Sequence, residues 1–147
     1  SSQFENTQMN DIERQFLAKQ FVARLATADS DGVPHVVPVC FTILERTIYI
    51  AIEQKPQSGN PRALKRIQNI ASNPSVALIV DHYEDDWRQL AWVMLRGSAE
   101  ILESGDEREA AHTLLRQRYK QYERMDFSGL PMIAIRIART SSWGQLD

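Results

Sequence analysis

FVARLATADSDGVPHVVPVCFTILERTIYIAIE, residues 21–53, is the stretch whose pattern decides the fold. Its β-branched and apolar residues come in three runs, FVARLATA (21–28), PHVVPVCFTI (34–43) and IYIAIE (48–53). Between them stand the turn formers Asp29, Ser30, Asp31 and Gly32, and then the short LERT (44–47). Such short connections between β-rich runs predict a three-stranded antiparallel meander. Pro34 and Pro38 have no N–H to give to a ladder, which favours an edge, a bulge or a strand start for the second run. Backbone at Val37, Pro38 and Val39 is then free to face a ligand.

Working outward, residues 9–20 place Met9, Ile12, Phe16 and Leu17 at near-helical spacing behind Asn10 and Asp11, which suit a helix start. QKPQSGNP is a loop, and Asn60 followed by Pro61 predicts the cap and first turn of a helix over 61–72. Asn73-Pro74 stops it. SVALIVDHY (75–83) and AWVMLRGSAEIL (91–102) read as strands four and five, joined by a short helical EDDWRQL, with Gly97 at a bulge or close approach. A helix over 106–122, a last strand MIAIRIA and a tail RTSSWGQLD complete the chain. The expectation is one domain over residues 1–147, mainly β: a six-stranded antiparallel barrel of Greek-key or meander type with two or three flanking helices.

With 147 residues, 43% hydrophobic and 24% charged, the chain has the composition of a single globular domain. Cys40 has no partner for a disulfide and no Cys/His spacing suggests zinc, so a reducing, cytoplasmic setting is expected and no metal is assigned. The formal charge of -2 gives no general attraction to nucleic acid or to anionic membranes. No apolar run approaches the roughly 18 residues of a spanning helix. Any anion site must be local.

The strongest local signal follows Asn60. Arg62, Lys65, Arg66 and Asn69 share one helical face opposite Leu64, Ile67 and Ile70, with Lys55 in the preceding loop. This basic stripe reads either as a phosphate clamp at a helix N-terminus or as a solvated surface. His35, His82 and His112 fall in separate elements without metal spacing. Cys40, between Val39 and Phe41, reads as an inert core thiol, and Glu84, Asp85 and Asp86 as a solvated turn. G-x-S-x-G, Walker and G-x-G-x-x-G motifs are all missing. Trp87, Trp92 and Trp143 suit stacking on a flat heterocycle and anchoring an interface equally well. No side chain stands out as catalytic.

Taken in order, G-x-P-H-V-V-P-V-x-F (32–41), IYIAIE, LKRIQNIASNPSVALIVD (64–81) and VMLRGSAEIL (93–102) resemble the pyridoxamine 5'-phosphate oxidase-like superfamily of split β-barrels. The segment DHYEDDW (81–87) is most similar to a small bacterial subgroup thought to use the deazaflavin coenzyme F420. The resemblance implies a homodimer with a cofactor, FMN or F420, at each of two interface sites. It places Val37, Pro38 and Val39 along the ring edge, Tyr49, Ile50 and Ala51 beneath the ring, and Lys55, Lys65 and Arg66 at the phosphate. The same resemblance implies that Trp87, Arg88 and Trp92 come from the partner chain or close the pocket. The last strand reads Arg136-Ile137-Ala138-Arg139 where vitamin B6 oxidases end Arg-Leu-x-Pro, which argues against that reaction. The implied activity is hydride transfer between a flavin or deazaflavin and a flat conjugated small molecule. The alternative is a non-catalytic flavin- or haem-binding carrier or sensor on the same barrel.

Overall fold

Two long strands, β6 (Ala91–Leu102) and β7 (Met132–Gly144), form the spine of one antiparallel sheet. The other strands are β1 (Ala23–Ala28), β2 (Pro34–Val39), β3 (Thr42–Leu44), β4 (Thr47–Ala51) and β5 (Ser75–His82). Their order across the sheet is β2-β1-β5-β6-β7-β4-β3. The structure is a computed structural model that describes residues 5–53 and 59–147, without the side chain of Arg62.

The described residues hold seven strands, where the sequence predicts six, because the run 34–43 is two strands. Val39 ends its pairing at Ala23, the chain turns at Cys40 and Phe41, and Thr42 then pairs with Tyr49. Three residue steps cover only about 10 Å, so strands at opposite ends of the order are brought together here and the sheet must curl into a partly closed barrel. The turn frees backbone groups that one side chain satisfies. Tyr119 accepts a hydrogen bond from the Phe41 N–H at 3.1 Å and shares its proton between the carbonyls of Phe21 (2.8 Å) and Phe41 (3.1 Å).

Other boundaries follow the sequence more closely. Helix α1 (Asp11–Lys19) starts at Asn10 in a full capping box with Glu13. Ile12, placed on its buried face by spacing, is 47% exposed, while Glu13 is buried. Polar satisfaction explains the exchange: Glu13 also accepts from the Ser142 hydroxyl at 2.6 Å. Gly97 marks a register shift between β6 and β7, and a Cβ there would lie 2.1 Å from the Arg136 carbonyl oxygen. The polar tail after residue 138 is strand, because residues 139–144 pair with the first half of β6.

The predicted helix 61–72 is broken. A 3-10 turn (Pro61–Ala63) is followed by Leu64 at φ −62 and ψ 136, and only then by α2 (Lys65–Ser72). Arg62 therefore lies off α2. Helix α3 (Asp106–Arg118) ends before a further 3-10 turn (Lys120–Arg124). Inside the curl, Leu25, Leu78, Val80, Val93, Leu95, Ile48 and Ile135 form the core, which Phe16, Leu17, Ile67 and Ile70 complete from α1 and α2.

Candidate functional site

Where β2 gives way to β3, the barrel leaves a gap. Its wall is a cleft of about 250 Å3 lined by Val22, Pro38, Val39, Cys40 and Glu53. β3 pairs only with residues 47–49 of β4, so the edge of Ile50 and Ala51 also opens onto this gap. Their side chains, and that of Tyr49, are buried in the core, and the Tyr49 hydroxyl donates to Glu107 at 2.6 Å. What this strand offers a ligand is backbone. Val37 and Val39 are half-buried on the inner face beside Leu25 and Ala23, whereas Pro38 points outward beside Arg24.

Glu53 is held on the cleft wall by the hydroxyl of Tyr122, itself 1% exposed. Burial, then Glu53, pushes the Tyr122 phenol up, so it remains a donor. Cys40 is half-buried at the cleft rather than enclosed, and burial likewise raises its thiol, which keeps it protonated.

The start of α2 brings Arg66 within electrostatic reach of Glu53 on this cleft wall. Arg66 is half-buried, and its Nε is fully enclosed without a hydrogen-bond partner. Burial lowers its pKa and the nearby Glu53 opposes that. A guanidinium donor left bare in this way is an opening for an anion, because an unmet buried donor costs roughly 1–3 kcal/mol. Lys65 is exposed and lies 3.9 Å from Asp29, at the end of β1. Asn69, one turn on, is 1% exposed and donates to Thr27 at 3.0 Å. It packs the fold, and so leaves the basic stripe. Lys55 lies outside the described residues.

A second group gathers on the outer face of the sheet. Trp92 on β6 stands opposite Trp143 on β7, and both line a cleft of about 410 Å3 with Ile79, Tyr83, Leu90 and the Arg24–Asp81 ion pair. A further depression lined by Phe21, Val22, Arg24 and His82 lies between this cleft and the first, sharing Val22 with the first and Arg24 with this one. Trp87 is 75% exposed, and the exposed Arg88 is clasped by Asp86 at 3.0 Å. Within one chain, Val37, Pro38, Val39, Ile50 and Ala51 border the gap with Arg66 in electrostatic reach of Glu53, whereas Lys65 pairs with Asp29 at the other end of β1 and Trp87, Arg88 and Trp92 stand apart. Spacing alone misses Glu53 and Tyr122, and it leaves open what Trp143 does. The sole sequence hint is a tryptophan in a polar tail, which strand pairing explains. Arg136 is committed to Glu100 and Glu107, and its hydrogen bonds to Glu107, followed by that of the Tyr49 hydroxyl, lower the Glu107 carboxyl to about 2. Among the described residues no group of three or more His, Cys, Asp or Glu could hold a metal ion. No helix among them is long and apolar enough to cross a membrane.

Comparison with known proteins agrees with this layout. Residues 9–144 match the family described as pyridoxamine 5'-phosphate oxidase. A 5a,11a-dehydrotetracycline/5a,11a-dehydrooxytetracycline reductase of Streptomyces rimosus is 32% identical over 98 residues, 66% of this chain and 66% of the reductase. A haem-binding protein of Mycobacterium smegmatis superposes with a TM-score of 0.73 at 22% identity, covering 95% of this chain and 56% of the other. An FAD-binding protein of Mesorhizobium loti does so with a TM-score of 0.67 at 23% identity, covering 97% of each chain. The two structures establish the shared fold.

Proposed function

Because the chain belongs to the pyridoxamine 5'-phosphate oxidase family, we propose that it is an oxidoreductase that holds FMN or coenzyme F420 in the gap between β2 and β4. It passes a hydride between that cofactor and a flat conjugated small molecule. The observation that carries this reading is the enclosed, partnerless Nε of Arg66 beside the open strand edges. Arg66 and Lys65 would hold the phosphate, with Val37, Pro38, Val39 and the backbone of Ile50 and Ala51 along the ring. The bound cofactor supplies the reversible hydride chemistry. The protein's own residues orient it and keep water from one face.

The dehydrotetracycline reductase supports a conjugated polycyclic substrate. The outer face of the sheet supports a homodimer. Its rows run Pro38, Arg24, Ile79, Met94, Ser141 and Val36, Ala26, Ala77, and Val36 is 67% exposed. Flat alanines flanked by larger apolar groups suit a second copy of the chain, which would bring its Trp87, Arg88 and Trp92 towards the neighbouring gap.

Fluorescence titration with FMN and F420, followed by turnover of the reduced cofactor against quinones, nitroaromatics and dehydrotetracyclines, tests this proposal. Binding and turnover are expected. Binding of neither cofactor would overturn it.

One feature favours a second reading, a haem-binding carrier: His82 lines the larger cleft with Trp92, Trp143 and Tyr83. Its Nε2 is engaged by Glu84 at 2.7 Å, so haem ligation would have to displace that contact. A Soret band that shifts in His82→Ala, with no turnover of reduced cofactor, would establish the carrier instead.

A further inference from the structure

Among the described residues lining the cleft between β2 and β4, Glu53 is the one whose charge the phosphate reading does not use. Val22, Pro38 and Val39 give the cleft apolar walls, Pro38 has no N–H to offer, and burial keeps the Cys40 thiol protonated. Into this setting the chain just past β4 brings an exposed carboxylate. It is held from behind. Glu53 Oε1 accepts from the hydroxyl of Tyr122, which is 1% exposed and packed against the rings of Tyr119 (5.3 Å) and Phe127 (5.2 Å). A buried phenol needs one acceptor, and a neutral one satisfies it. A carboxylate has about four acceptor sites, so Tyr122 leaves most of that capacity at the cleft.

Arg66 lies within electrostatic reach of this carboxylate and keeps an enclosed Nε without a partner. A directed donor and a braced acceptor therefore stand near one another. A phosphate can meet only the donor: with a second pKa of about 6 it has few protons left to give at pH 7, and the carboxylate repels it. What Glu53 can serve is a group that donates. FMN and coenzyme F420 share one, because both join ring to phosphate through a ribityl chain whose hydroxyls follow directly on the phosphate. We propose that Glu53, braced by Tyr122, accepts hydrogen bonds from the ribityl hydroxyls and so makes the gap selective for a ring that carries a polyhydroxylated chain. The proposal rests on the reading of the gap as a flavin-type site. A ring on a plain alkyl arm would cover this acceptor without replacing the water it displaces.

Two ligand pairs test this, titrated into the full chain by fluorescence at fixed salt. FMN is compared with an analogue that has the same ring and terminal phosphate on an unsubstituted pentyl chain, and riboflavin with its pentyl counterpart. Within a pair the charge is the same, so any electrostatic effect of a substitution cancels in the affinity ratio. The wild type is expected to favour the ribityl member of each pair by about tenfold, as one charge-assisted hydrogen bond provides. Glu53→Gln keeps an acceptor for Tyr122 and offers a neutral contact, so the ratio should fall to about threefold at an unchanged melting temperature. Glu53→Ala should bring it close to unity. A carboxylate that only holds Tyr122 would change both members alike and leave the ratio intact, which would overturn the proposal. So would equal affinities within both pairs in the wild type. Failure of all four ligands to bind would overturn the flavin-type reading beneath it, and this proposal with it. A phosphate that adds no affinity, with the riboflavin ratio still set by Glu53, would support this contact and overturn the reading of Arg66 alone.

Discussion

Arg118, at the end of α3, and Arg66, in the first turn of α2, are both half-buried, yet their guanidinium groups are treated differently. Arg118 donates to the carbonyls of Leu17 and Ala18 at 3.1 Å and to that of Gln20, closing the end of α1. Its plane also lies over the rings of Phe21 (4.7 Å) and Phe41 (4.9 Å). Arg66 has an enclosed Nε with nothing to donate to. An arginine completed by its own chain is part of the scaffold. One left incomplete beside an open strand edge is placed for something the chain does not contain.

The contrast can be broken first at its structural side. Arg118→Met is expected to cost about 2–4 kcal/mol in urea unfolding, from the lost carbonyl bonds and ring contacts. A loss under about 1 kcal/mol would mean that the satisfied arginine is no more structural than Arg66.

His112, on the buried side of α3, gives the next largest effect, through pH. It stacks on Phe127 at 4.8 Å, and burial, then the charges of Arg108 and Arg116, lower its pKa to about 4. The unfolded chain binds this proton near pH 6.5 and the folded chain only near 4. Stability is therefore full above about pH 6.5 and falls as pH drops towards 4, by roughly 2–3 kcal/mol. Urea unfolding across this range should show that slope, and His112→Leu should flatten it.

Tyr119→Phe leaves the backbone groups at Phe41 and Phe21 without their partner, at an expected cost of about 2 kcal/mol by the same measurement. The smallest effect on stability belongs to Arg66→Met, which keeps the apolar stem and removes the half-buried guanidinium with its unmet Nε donor. Its unfolding free energy is expected within about 0.5 kcal/mol of wild type. A large loss would place Arg66 with Arg118.

Much of this architecture is legible in the sequence, for local reasons. Residues 76–80 and 91–95 are apolar runs between turn formers, Asn10 and Glu13 are a capping pair, and Gly97 stands where only a hydrogen fits against Arg136. The errors arise where distant partners decide. The run 34–43 has strand-like composition throughout, and its break at Cys40 and Phe41 is stabilised by Tyr119, 78 residues from Phe41. Thr140, Ser141 and Ser142 look like tail residues until β6 pairs with them. In the site, Lys65 and Arg66 are readable from helical spacing, but Asn69 shares that spacing and turns to Thr27. Glu53 gains its place only through Tyr122.

The central claim is that Arg66 awaits the phosphate of a tricyclic cofactor. The direct measurement is the affinity of wild type and Arg66→Met for FMN, its monomethyl ester and riboflavin. Wild type should bind both phosphates at least about tenfold more tightly than riboflavin, as one charge-assisted hydrogen bond provides, and Arg66→Met should bring all three close to the riboflavin value. A phosphate preference that survives intact in Arg66→Met would contradict the account.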